Sequence, residues 1–110
     1  MESILSSDLL RGHTDAIILR ILSAGDAYGF EIYNRIIEKT GGQYEPKETT
    51  LYSSYKRLEA EGAIVSYWGD ETQGARRKYY RITGKGRKVL EQDLRDWKFT
   101  QKIINDLLEE

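Results

Sequence analysis

No cysteine occurs in this sequence, which excludes disulfides, thiolate zinc sites and cysteine nucleophiles and makes a reducing cytoplasm the natural setting. His13 is the only histidine, so a catalytic dyad or metal cluster would have to be built around it. With Asp15 it offers two ligands of unlike reach, too few for a metal site. The GKGRK stretch at residues 84–88 lacks the GxxxxGKS or GxxxxGKT spacing of a phosphate loop. Carboxylates are dispersed through charged segments, and no pair stands out for acid–base work. Neither enzymatic activity nor a cofactor or metal is therefore expected. No apolar run reaches membrane-spanning length, and the opening MESILSSDLLRG is acidic where a signal peptide is basic. The expectation is a soluble, cytoplasmic protein.

At 110 residues the chain is one domain by length, with a small core and little stability to spare, which makes burial against a partner plausible. Seventeen Lys and Arg oppose eighteen Asp and Glu, for a net charge of −1. That balance by itself argues against a strong non-specific nucleic-acid binder. The distribution matters more. Arg76, Arg77, Lys78, Arg81, Lys85, Arg87 and Lys88 fall in a stretch without a single acid, whereas both ends of the chain are acid-rich. This is a local basic patch.

In chain order, Ile4, Leu5, Leu9 and Leu10 recur at helical spacing and predict a short amphipathic helix at the N-terminus. The nearly continuous apolar run AIILRIL at residues 16–22 predicts a buried central helix, capped by Thr14 or Asp15 and stopped by Gly25. Asp26 is expected to cap the next helix, over residues 28–40, with Gly29, Ile32, Tyr33 and Ile36 on one face and Gly41-Gly42 as its stop. A turn containing the sole proline, Pro46, follows.

Residues 49–62, TTLYSSYKRLEAEG, read as one helix with two chemically different faces. At about 100° per residue, Leu51, Ser54, Tyr55 and Leu58 share one side; Thr49, Thr50, Tyr52, Ser53, Lys56 and Arg57 share the other. The first side can bury. The second carries hydroxyls, a phenol and two cations, with no acid before Glu59, and suits phosphates and base edges. Helix, turn, two-faced helix is the helix-turn-helix order. Residues 63–68 (AIVSYW) and 76–82 (RRKYYRI) then alternate as strands around a polar, turn-rich tip, forming a β-hairpin whose second strand carries the basic cluster. The fold expected is mainly α with a small β-hairpin: a winged helix-turn-helix, the helix suited to a major groove and the wing to adjacent backbone.

Thr83 is placed to cap a last helix, although Gly84 and Gly86 should fray its first turn. Leu90, Leu94, Trp97, Gln101, Ile104 and Leu108 are spaced four, three, four, three and four, a heptad seam flanked by charges of both signs. Such a seam on one helix needs a partner. The division expected is residues 1–83 as the DNA-binding part with its N-terminal helix, and 84–110 as a dimerisation helix. Leu5, Leu9, Leu90, Leu94, Trp97, Ile104 and Leu108 are the candidate interface of a homodimer built from both terminal helices.

YGFEIYNRI at residues 28–36, TLYSSYKRLEAEGAI at 50–64 and YWGDETQGARRKYYRITGKGRKVL at 67–90 resemble the PadR family of transcriptional regulators. The single helix after the wing is similar to the small branch that includes multidrug-sensing repressors. The resemblance implies a dimeric winged helix-turn-helix repressor whose last helix mediates dimerisation. It implies phosphate and base-edge contacts by Tyr52, Ser53, Lys56 and Arg57, and a wing motif at Gln73, Gly74, Arg76, Arg77 and Lys78. In drug-binding relatives a tryptophan at the place of Trp97 pairs with its dimer mate and a flat aromatic ligand slots between the rings, with Asp15, Ala16, Leu19, Leu94 and Gln101 the neighbours implied here. A tryptophan that simply fills the dimer seam is the other reading.

The function expected is sequence-specific binding to a pseudo-palindromic double-stranded operator as a homodimeric repressor, modulated by a planar hydrophobic small molecule. Two alternatives stand beside it. A winged-helix module for protein–protein assembly would suit the acidic balance but has no need of an acid-free wing strand. A small-molecule binder without DNA function would leave Lys56, Arg57 and residues 76–78 unexplained.

Overall fold

The computed structural model of the protein describes residues 10, 12–69 and 76–109. The expected N-terminal helix with Leu5 and Leu9, and the wing tip with Gln73 and Gly74, lie outside the described residues. The elements run α1 (Thr14–Ser23), β1 (Ala27–Tyr28), α2 (Gly29–Lys39), α3 (Glu48–Ala60), β2 (Ile64–Trp68), β3 (Lys78–Ile82) and α4 (Gly84–Leu108).

Helix α1 is the central rod. It turns Thr14, Ile18, Leu19, Ile21 and Leu22 inward, a stripe at helical spacing. Its N-cap is His13, with Thr14 and Asp15 as the first helical residues, so the helix starts a residue or two earlier than a cap at Thr14 or Asp15 would give. Thr14 is buried and already inside the helix, so it is not placed to cap it.

Helix α2 is capped differently from expectation. Its N-cap is Tyr28, whose backbone N–H donates to the Glu31 carboxylate at 3.2 Å. Asp26 is not the cap because its carboxylate serves elsewhere: Arg81 and Tyr67 both donate to it. On α2, Ile32 and Ile36 face the core.

Helix α3 buries Leu51, Ser54, Tyr55 and Leu58, the apolar-side set that its periodicity defines. It stops in a two-bond C-cap: Ala63 N–H donates to Leu58 O at 2.9 Å and Gly62 N–H to Glu59 O at 3.0 Å. That geometry places Gly62 at φ 77°, where a Cβ would be strained.

Three antiparallel strands, in the order β1-β3-β2, make the sheet. Ile64 pairs with Ile82 and Trp68 with Lys78 across the wing hairpin, while Ala27 pairs with Tyr80 and Tyr28 with Tyr79. Strand β1 is an addition to the expected hairpin. It ties the entry of α2 to the wing, so helix-turn-helix and wing share one framework.

Helix α4 leaves that framework at a fixed point. The Thr83 hydroxyl accepts from Gly86 N–H at 3.0 Å and donates to Gly62 O at 2.7 Å. Gly86 is buried against the Ala63 carbonyl: a Cβ there would lie 2.1 Å from that oxygen and 2.8 Å from Ile82 Cγ1. Its role is close approach rather than fraying. Leu90 packs into the chain's own core, at 5% exposure, which removes it from the expected dimer seam. Beyond it α4 buries no further residue. Leu94, Trp97, Phe99, Ile103, Ile104, Leu107 and Leu108 are all exposed on a helix of 25 residues, about 37 Å long. The radius of gyration, 15.6 Å, exceeds the roughly 13 Å of a compact domain of this length because α4 projects.

Candidate nucleic-acid interface

The outer face of α3 is built by exclusion. Once its apolar quartet is committed to α1 and the sheet, 100° geometry leaves Thr49, Thr50, Tyr52, Ser53, Lys56 and Arg57 outward, and all six are exposed. Lys56 Nζ sits 4.7 Å from the Tyr52 ring centroid, a cation–π contact that orders both side chains on the surface.

Arg57 is different. Its guanidinium donates to both Asp15 carboxylate oxygens, Nη2 to Oδ1 at 2.7 Å and Nε to Oδ2 at 2.9 Å, and also to Ser54 Oγ at 3.1 Å. Asp15 holds the Arg57 pKa above its ordinary value through that hydrogen bond. The fork therefore joins α3 to α1, and both residues expected at separate sites meet each other instead.

The wing strand starts at Lys78, two residues later than expected, and Arg76 and Arg77 just before it and Lys78 at its start are exposed. Lys78 lies 3.7 Å from Glu59 and 5.8 Å above the Tyr80 ring, so it bridges β3 to α3. Arg77 lies over the Tyr28 ring at 4.9 Å. Arg81 pairs with Asp26 at 2.8 Å. Hydrogen bonds from Arg81 and then Tyr67 hold the Asp26 carboxyl below its usual range. The basic strand is thus partly neutralised on its inner side. Its outward cations still flank α3.

A second concavity, a cleft of about 550 Å³, runs between α1 and α4. Ala16, Leu94 and Trp97 line it, together with His13, Ile17, Ile21 and Tyr44. The His13 and Trp97 rings meet edge-on at 4.9 Å. Asp93, also in the lining, has its pKa raised, first by burial and then by Asp96 and Asp15. Three expected ligand neighbours are not in the lining. Leu19 has no exposed surface and belongs to the core; Asp15 turns toward Arg57; Gln101 is exposed farther along α4. The sequence reading missed His13, which meets Trp97, and Tyr44, which lines the same cleft; tertiary packing alone brings both there. Among the described residues no cluster of His, Cys, Asp and Glu suits a metal, and no helix is long and apolar enough to cross a membrane.

A helix-turn-helix locked to a basic wing strand by a three-stranded sheet, with a hydroxyl-and-cation helix face outward, defines a winged-helix protein of the transcriptional-regulator class. The model of the transcriptional regulator PadR-like family matches residues 18–92, and the chain belongs to that family. It is 49% identical to a transcriptional regulator from Clostridium thermocellum of known structure, at a TM-score of 0.88, covering 96% of this chain and all of that one. A PadR family transcription regulator from hypervirulent Clostridium difficile R20291 is 38% identical, with a TM-score of 0.78, covering 89% of this chain and all of that one. An uncharacterised protein of Lysinibacillus sphaericus is 42% identical over 94% of both chains.

Proposed function

We propose that the protein is a homodimeric repressor that binds a pseudo-palindromic operator, each protomer placing α3 in a major groove and the wing strand along the adjacent backbone. The observation that carries this reading is the outward face of α3: Thr49, Thr50, Tyr52, Ser53 and Lys56 exposed together beside Arg76, Arg77 and Lys78. Hydroxyls and the phenol read base edges, and the cations hold phosphates. Arg57 enters as the strut that sets the angle of α3 on α1. The projecting apolar face of α4 supports a second copy as its cover, since a monomer would leave Ile104, Leu107 and Leu108 in water. A planar hydrophobic effector fits the α1–α4 cleft, stacking on Trp97. Its effect on DNA would be exerted through α1, which lines the cleft and holds α3 by Asp15.

The test is a fluorescence-anisotropy titration of labelled DNA from upstream of the protein's own gene against scrambled DNA at near-physiological salt. A preference of about a hundredfold or more supports a sequence-specific operator protein. Equal weak binding to both would count against a sequence-specific repressor at this promoter and favour the protein–protein assembly module.

A further inference from the structure

A groove of about 620 Å³ opens between the first turns of α2 and α3, apart from the α1–α4 cleft. Gly29, Phe30 and Tyr33 form one wall, Leu51 and Tyr52 the other, with Glu48 at the entrance of α3. Phe30 is 62% exposed. It stacks on Tyr33 at 6.5 Å with 13° between the planes. The core does not need it, since α2 buries Ile32 and Ile36 instead.

The groove is continuous with the face assigned to DNA, for Thr49, Tyr52 and Ser53 line it too. Phosphate is a poor occupant, because Glu48 would repel it and the walls are ring faces. An apolar group on a base edge fits both, and the major groove displays one such group, the C5 methyl of thymine. The N-terminal residues of a recognition helix are those that reach base edges.

We propose that this groove is a thymine-methyl pocket and that Phe30, on α2 rather than on the recognition helix, is a specificity-determining residue of the operator complex. The inference rests on the DNA-binding reading above. Phe30 supplies the wall against which the methyl group loses its water, and Tyr52 the opposite wall. Burying one methyl corresponds to about fourfold in affinity.

The experiment first selects a preferred duplex with the wild-type protein from a randomised library, then replaces each of its thymines singly by deoxyuridine, which removes only the methyl. Wild type and Phe30→Ala are titrated against the set. The expected result is that one deoxyuridine position and its symmetry mate each weaken wild type about fourfold and leave Phe30→Ala unchanged, while the salt slope is the same for both proteins. Circular dichroism confirms that this exposed substitution leaves the fold intact. Wild type indifferent to every replacement, or Phe30→Ala retaining the wild-type pattern, would overturn the pocket. Failure to select any preferred duplex would instead overturn the DNA-binding reading on which it stands.

Discussion

Arg57 on the recognition helix grips Asp15 on α1 with two hydrogen bonds, 2.7 and 2.9 Å, across 42 residues of sequence. This fork has two consequences, one for stability and one for charge. Arg57 is half-exposed, so the pair contributes at most about 1 kcal/mol to stability, and Asp15→Asn should unfold within that margin of wild type. Its effect on charge is larger, because the guanidinium is already neutralised before DNA arrives. Lys56→Ala is expected to reduce the slope of log affinity against log salt by about 0.9. Arg57→Ala should reduce it by less than half as much, and Asp15→Asn should steepen it. Equal losses from Lys56→Ala and Arg57→Ala would show that Arg57 leaves Asp15 to meet a phosphate.

Tyr55 offers a sharper stability test. Its ring stacks on Tyr80 at 4.5 Å, yet among the described residues its buried hydroxyl has no hydrogen-bond partner. Burial, and then the neighbouring Tyr80, raise its pKa well above the ordinary phenol. Tyr55→Phe keeps the ring and removes the unpaired oxygen. It should stabilise the protein by roughly 1 kcal/mol, seen as a rise in Tm of about 4 °C at fixed protein concentration. A drop in Tm would mean that the hydroxyl is paired in solution.

Gly84 and Gly86 stand two residues apart at the start of α4 and should respond with opposite signs. A Cβ on Gly84 meets nothing within 4 Å, whereas one on Gly86 drives into Ala63 O. Gly84→Ala is expected to gain up to about 1 kcal/mol from helix propensity. Gly86→Ala should cost about 3 kcal/mol, because the obstacle is backbone and cannot rotate away. Urea denaturation of both variants measures the difference. Equal effects would contradict the close approach of α4 to the Gly62–Ala63 corner.

Asp26 links the entry of α2 to the wing, and its carboxyl is held below the ordinary range mainly by the Arg81 hydrogen bond. A carboxyl with a depressed folded-state pKa stabilises the protein above its unfolded pKa of about 3.9 and loses that contribution as pH falls through the folded value. The stability gap between wild type and Asp26→Asn should therefore be constant from about pH 7 to 5 and shrink below about pH 4. Thermal melts across this range check it, and a gap that widens on acidification would reverse the assignment. No change is expected from the alkaline side below the tyrosine range.

The exposed stripe of α4 is the dimer seam of the proposed homodimer. Ile104→Asp with Leu108→Asp places two charges on residues that touch nothing in the chain's own core, so the fold of residues 14–90 should survive. Light scattering after gel filtration should then give the monomer mass, and operator affinity should fall at least tenfold as the two half-sites lose their link. A dimer that persists would move the interface away from this seam.

Much of the architecture was legible because it is local. The quartet Leu51, Ser54, Tyr55 and Leu58 follows from a 3.6-residue period, and the stop at Gly62 from the left-handed backbone that glycine accepts. The pairing of β2 with β3 follows from alternation on either side of a polar tip. The heptad spacing read Ile104 and Leu108 as a seam in need of a partner, and among the described residues nothing of the chain buries them. These features depend on neighbours a few residues away, where periodicity and propensity act directly.

What only tertiary structure decided involves partners far apart in sequence. Strand β1 is two residues long, too short for any period, and exists because β3 presents an open edge. Asp26 was read as a cap from its place before α2, yet Arg81, 55 residues on, claims its carboxylate. Leu90 was assigned to the dimer seam by spacing, and Leu19 to a ligand pocket by the family resemblance, yet both lie in the core, because a one-dimensional pattern does not specify where α1 and α4 pack together. Gly86 looked like a weak helix start and is a close contact with Ala63 O. In each case a side chain's role was set by the strongest partner the fold brought within reach. Sequence determined which surfaces this protein has to bury or expose; packing determined which residues meet on them.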